Sequence, residues 1–185
     1  MKNNRILIIA IIFLFFLIGI FGYFCFKNSK QEVSEILPEE EISDEQYRKT
    51  MVSLYYENRN TQKLMPEVQL IDVKLLINEP YVTLLNLLME QPKNENLQCV
   101  IPEGTKINKV ELNSDILFVD FSKEFIENHI GGIEEEKNTI YSIVNTLTEL
   151  TEVNGVKILI DNEENKSFND NNINFNDVFL KIDNK

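Results

Sequence analysis

Residues 116–161, ILFVDFSKEFIENHIGGIEEEKNTIYSIVNTLTELTEVNGVKILID, decide the fold. They read as strand, short loop, long amphipathic helix and strand. Across 116–121, Leu117, Val119 and Phe121 alternate with Ile116, Phe118 and Asp120, the period of a strand. Ser122 is placed to cap a short helix running through Phe125. Gly131-Gly132 makes a turn that uses the positive φ angles open to glycine. Glu134, Glu135 and Glu136 then fall in the first turn of a helix, where the macrodipole favours acids. Ile140, Ile143, Val144, Leu147 and Leu150 share one helical face. Asn154-Gly155 ends that segment, and Val156, Ile158 and Ile160 form the last core strand.

Upstream, Val52, Leu54 and Tyr56 mark a first strand over 50–57, closed by the turn Asn58-Arg59-Asn60. A second strand is expected over 68–77. Its apolar parity switches between Leu70 and Ile71, which predicts a bulge. Glu79-Pro80 opens a helix, with proline in the first turn, where its missing donor costs nothing. Tyr81, Leu84, Leu85 and Leu88 form its buried stripe, and Pro92 stops it. Residues 106–112 and 116–121 make a hairpin about Asn113-Ser114-Asp115. Downstream, Phe168, Ile173, Phe175, Val178, Phe179 and Leu180 predict that the Asn- and Asp-rich tail folds back as a short strand or cover. The fold class is therefore α+β, a small sheet with two helices packed on one face.

The helices are expected to cover Leu117, Val119, Phe121, Val156, Ile158 and Ile160. Ile116, Phe118 and Leu159 are left on the opposite face, beside Asp120, Lys157 and Asp161. Two readings stand for these three residues. The tail around Phe175 and Phe179 folds over them, or they form an interaction surface, as clustered exposed apolar area often does.

The chain has 185 residues and a formal net charge of −12. An acidic balance argues against nucleic acid, whose phosphates need a basic face, and against anionic lipid heads. Two cysteines, Cys25 and Cys99, give no readable disulfide framework. Cys99 reads as a small buried filler rather than a reactive thiol.

Residues 6–26 form an apolar run without a charged side chain, matching the roughly 20 residues a membrane-crossing helix needs. It exceeds the usual h-region of a cleaved signal, and no small-residue cleavage site follows it. Phe24 before Cys25 is wrong for a lipoprotein site. The expectation is an uncleaved single-pass anchor over 6–26 after a cytoplasmic stretch 1–5, with cleavage or lipidation as the alternatives. An acidic linker then spans 27–49, extended by its like charges and Pro38, and one domain of roughly 130 residues spans 50–182. The short N-terminal tail favours N-inside, which places the domain outside the cytoplasm at the cell membrane.

Candidate chemistry is thin. Asp120, Glu124 and His129 could form an acid/base or metal set, but no second His or Cys stands near, and structural roles suit them better. Gly131-Gly132 before a helix resembles a phosphate turn, yet no Lys-Ser/Thr follows and three glutamates would repel an anion. Asp161, Glu163 and Asn165 resemble the start of a calcium loop, but Lys166 stands where the glycine belongs and Asn172 where the bidentate glutamate belongs. A polar hairpin loop is the ordinary reading. No catalytic residue, cofactor or metal is expected.

One combination of motifs is specific although each piece alone is weak. It comprises Glu79-Pro80 with its leucine helix, Ile101-Pro102-Glu103-Gly104-Thr105, residues 119–125 (VDFSKEF), the His129/Gly131-Gly132 turn, and residues 140–150. Together these resemble the GerMN domain family of sporulation and spore germination proteins, over residues 50–180. The resemblance implies a ring-building-motif-like α+β fold, an exported and membrane-attached domain, and a role in spore formation or germination through protein assembly, by self-association or with a protein partner. No catalytic set comes with it. This chain holds one copy of a domain often found in tandem, and its anchor departs from the lipoprotein form. The alternative function is a domain that binds cell-wall glycan or peptide, with peptidoglycan as partner. That reading asks for an exposed aromatic row, for which Tyr55, Tyr56 and Tyr81 are the candidates.

Overall fold

A computed structural model of the protein describes residues 48–181 and Tyr23. The anchor expected over 6–26 lies outside the described residues save for Tyr23, as does nearly all of the linker. Among the described residues no helix is long and apolar enough to cross a membrane. The domain lies within one compact unit, Ile42–Lys185.

β1 (Lys49–Asn58) and β2 (Leu64–Asp72) form a long antiparallel hairpin. Its turn is fixed by Asn58, whose side-chain oxygen accepts the amides of Asn60 and Thr61, both at 3.0 Å. The register runs without interruption from Lys49↔Asp72 to Glu57↔Leu64. The expected bulge between Leu70 and Ile71 is therefore absent, and the strand ends at Asp72 instead of Ile77. Asp72 accepts the amide of Lys74 and opens a helical turn, α1 (Lys74–Asn78). The apparent change of parity arises because Val68 and Leu70 are apolar yet face solvent, while Ile71 on the opposite face is buried.

α2 (Pro80–Met89) starts on its proline and buries Leu84, Leu85 and Leu88. It packs against β1, where the Tyr56 hydroxyl donates to the Leu87 carbonyl at 2.9 Å. After β3 (Leu97–Gln98), the chain enters β4 (Ile107–Asn113) and β5 (Ile116–Phe121), the expected hairpin. α3 (Glu124–Glu127) and α4 (Ile133–Leu147) come next, then β6 (Gly155–Ile160) and β7 (Phe179–Leu180).

The strands form two sheets rather than one. Their orders are β2-β1-β3 and β4-β5-β6-β7, with β5 and β6 parallel. α4 lies between them and accounts for both. Its apolar face, Ile140, Ile143, Val144 and Leu147, is fully buried with Leu117, Val119, Val156 and Ile158. Its other face is polar but also buried, at Ser142, Asn145 and Thr146. β3 pairs with β1 only at Glu57 and Asn58, so among the described residues the rest of that edge lacks a strand. There, the Tyr55 amide donates to Thr146 Oγ1 at 3.0 Å, and Ser142 Oγ donates to the Tyr55 carbonyl at 2.6 Å. The helix thus supplies the bonds that buried strand backbone requires. A polar stripe on an amphipathic helix looks solvated in sequence, which hid the second sheet.

Two further expectations change. α3 has no side-chain cap. Ser122 Oγ instead accepts the Lys106 amide at 3.0 Å, beside the register shift between Ile107 and Lys109 where ladder bonding is irregular. The tail does fold back, as β7 on β6, and it covers part of the outer face, where the Phe175 and Asn176 carbonyls enclose Lys157 and Val178 and Leu180 border Ile116, but the rings of Phe175 and Phe179 turn elsewhere. Phe175 is fully buried with Phe125 and Phe168. Phe179 stands opposite Val156, and its ring meets Tyr141 of α4 edge-on at 6.5 Å. Val156 faces the core, and directly paired residues share a face, so Phe179 must face it too.

Candidate functional site

Ile116, Phe118 and Leu159 are all half-buried on the sheet face turned away from α4. The registers set what surrounds them. Phe118 lies between Glu111 of β4 and Lys157 of β6, and Leu159 lies beside Asp120. Phe118 and Leu159 line a shallow cavity of about 240 Å³ with Lys109, Glu111 and Asn162. Lys109 and Glu111 form an exposed ion pair at its rim, and the Lys109 ammonium holds the Glu111 carboxyl below its usual range. Asp120 is buried and accepts the Asn162 amide at 2.8 Å.

β7 extends this face. Leu180 stands opposite Gly155, and a Cβ on Gly155 would lie 2.7 Å from Val178 and 2.9 Å from Leu180 side-chain carbons, with Ile116 at 3.2 Å. The apolar surface thus continues from Ile116 onto Val178 and Leu180, both exposed. Lys157 is buried, and its ammonium donates to the Phe175 carbonyl at 2.9 Å and to that of Asn176. The period of two places Lys157 outward correctly but carries no sign that tail carbonyls enclose it.

A second feature is a cavity of about 690 Å³ bordered by the loops at 98–105 and 128–130. His129 lies on its wall. His129 Nδ1 accepts the Gly131 amide at 3.0 Å, so the proton sits on Nε2, 3.0 Å from Thr139 Oγ1, which donates to the Val100 carbonyl at 2.9 Å. The ring also packs on Phe168 at 4.2 Å. Burial lowers its pKa, outweighing the raising effect of Glu136, Glu135 and Asp170. Cys99 borders the same cavity as a half-buried thiol near the Leu88 carbonyl, its pKa pushed up by burial.

The residues weighed as an acid/base set serve separate structures. Asp120 holds the 161–162 turn, Glu124 takes the Ser122 hydroxyl, which lowers its pKa, and His129 braces Thr139. Among the described residues no group of three or more His, Cys, Asp or Glu could hold a metal. Gly131 and Gly132 have φ of 79° and 99°, and the Gly132 amide is already taken by Asp170 at 2.9 Å. Asp161 and Asn162, both at positive φ, close a tight turn bridging Ile160 and Glu163. Glu136 has a role that its place in the sequence does not signal. It is buried in the first turn of α4 and accepts the Ile173 amide at 2.9 Å, tying the tail to the helix. The tyrosines make no exposed row. Tyr56 is buried, and Tyr55 and Tyr81 are half-buried with their hydroxyls on Glu149 and Glu152.

His129 is the only histidine, which gives a clean pH expectation. Its folded pKa lies below its unfolded value, so below about pH 6.5 the unfolded chain gains a proton that the folded chain resists. Stability is complete above that value and falls as pH drops through the window. The carboxylates with lowered pKa values act only at lower pH. A thermal midpoint that declines from pH 7 to pH 5.5, and a flatter profile in His129→Gln, are expected.

Residues 53–166 match the family model Germane, described as sporulation and spore germination, and the chain belongs to this family. No curated protein matches the chain. Among solved structures it is similar to the tandem GerMN domains of the sporulation protein GerM from Bacillus subtilis. That match has a TM-score of 0.61 and 19% identity, over 78% of this chain and 50% of that one. It is also similar to the first GerMN domain of the same protein, with a TM-score of 0.59 and 20% identity, over 71% of this chain and 97% of the other. The chain thus spans about half the length of the tandem structure. At these identities the likeness is one of fold, an α+β GerMN-type domain.

Proposed function

We propose that the protein is a membrane-anchored, exported and non-catalytic module of sporulation or spore germination, which assembles with other proteins at the membrane through the outer face of its four-stranded sheet. The observation that carries this reading is the half-buried apolar surface at Ile116, Phe118 and Leu159, which the tail continues with the exposed Val178 and Leu180. Clustered apolar area of this kind is a common mark of a protein contact. The absence of a second apolar run after residues 6–26 supports a single-pass topology with the domain outside the cytoplasm.

Phe118→Asp combined with Leu159→Asp tests the surface. Both side chains are half-buried on an outer face, so the full chain should keep its cooperative melt. In membranes of the native host, chemical cross-linking should trap wild type in larger species and the double variant only as the free chain. Unchanged cross-linked species from a folded variant would move the contact elsewhere. The second reading, a cell-wall glycan or peptide ligand, has its place in the 690 Å³ cavity. Retention on purified peptidoglycan that survives the double substitution would favour it.

A further inference from the structure

β2 is the outermost strand of its sheet, and among the described residues nothing pairs with its free side. Tyr55 directs its backbone amide and carbonyl to α4, so odd residues of β1 point away from β2 and even ones towards it. Through the register, Met65, Glu67, Gln69 and Ile71 bond to β1, while Leu64, Pro66, Val68 and Leu70 direct their backbone groups outward. Pro66 lies on that outward side, where a missing donor is tolerated. The side chains at these outward positions are all apolar. Val68 and Leu70 are 61% and 58% exposed, and Met51, directly opposite Leu70, is 73% exposed.

Natural edge strands are usually blocked by a charge, a bulge or a covering segment. Here the only charge at an outward position is Asp72 at the strand's end, engaged with the Lys74 amide, and the hairpin register is unbroken. On a chain of net charge −12, two copies repel over most of their surfaces, so an edge charged only at its end is where they can approach. We infer that β2 pairs antiparallel with β2 of a second copy, joining two three-stranded sheets about a twofold axis at Gln69.

Proline disfavours the register one step away and acts in the chosen one only at the strand's end, where Pro66 meets Asp72 of the second copy. With Gln69 facing Gln69 of the second copy, each Val68 and Leu70 amide donates to the Leu70 or Val68 carbonyl across the seam, and both residues are fully paired. A twofold at Val68 would set Leu70 opposite Pro66 of the second copy and leave the Leu70 carbonyl without a donor. The Gln69 register also places Val68 beside Leu70 of the second copy, flanked by both Met51 side chains. Glu67 stays on its own Asn94 amide at 2.8 Å, so no carboxylates meet at the axis. The inference rests on the assembly reading but names a different surface from the Phe118 face.

The test uses the full chain in uncharged detergent, by sedimentation equilibrium and amide hydrogen exchange. A dimer should form, tighten as salt screens the like charges, and protect the Val68 and Leu70 amides only at concentrations where it is populated. Leu70→Lys should weaken it by about tenfold or more, by the means natural edges use. Phe118→Asp with Leu159→Asp should leave this dimer intact. A monomer at all concentrations overturns the inference, as does a dimer indifferent to Leu70→Lys. Protection of Val68 and Leu70 in a monomer would mean that the chain's own N-terminal residues cover the edge, and would overturn it too. Loss of the dimer in the Phe118/Leu159 variant alone would leave the assembly reading standing and remove this one.

Discussion

Phe125→Ala should lower stability by about 3–5 kcal/mol, the range for removing a fully buried aromatic ring. Phe125 has no exposed surface and stacks on Phe121 with ring centroids 4.7 Å apart. Its other neighbours are Phe168 at 5.5 Å and Phe175 at 6.1 Å, both from the tail. The ring therefore joins the end of β5 to the returning chain, and alanine leaves a void among three rings that cannot all close over it. Urea denaturation of the full chain measures the loss. Hydrogen exchange should also show the Phe175 amide, which donates to the Lys166 carbonyl at 2.8 Å, opening more readily. A loss under about 1 kcal/mol would mean that the tail is not held by this cluster.

Leu147→Ala should cost about 2–5 kcal/mol. Leu147 closes the apolar face of α4 and is fully buried. The helix has little freedom to shift into the space left. Its polar face is pinned to Tyr55 by Ser142 and Thr146, and its first turn is pinned to Ile173 by Glu136. The same denaturation measurement applies. A cost under about 1 kcal/mol, below the range for a buried leucine, would contradict the placement of α4 between two sheets.

The fold is legible in the sequence wherever apolar periodicity coincides with burial. Leu117, Val119, Phe121, Val156, Ile158 and Ile160 alternate and are all buried, and Ile140, Val144 and Leu147 recur at helical spacing and are all buried. The central elements were therefore readable, as was the half-covered face holding Ile116, Phe118 and Leu159. Failure came where polarity and burial part company. Val68 and Leu70 are apolar and exposed, so they imitated a bulge and hid the end of β2. Ser142, Thr146 and Glu136 are polar and buried because they bond to the backbone of distant segments. Such partners, up to 91 residues away in the case of Tyr55 and Thr146, leave no local pattern. Ser122 shows the same limit at short range, since its oxygen accepts the Lys106 amide and caps no amide of the helix beside it.

The central claim is that the outer sheet face acts in the spore cycle, and one measurement addresses it directly. A strain of the native host whose sole copy carries Phe118→Asp and Leu159→Asp is compared with wild type and with a deletion strain for heat-resistant spores formed and for the fraction that germinates. The expected result is a variant chain that accumulates normally at the membrane and yet reproduces the deletion phenotype. Spore formation and germination at wild-type levels, in a strain where deletion impairs either, would contradict it.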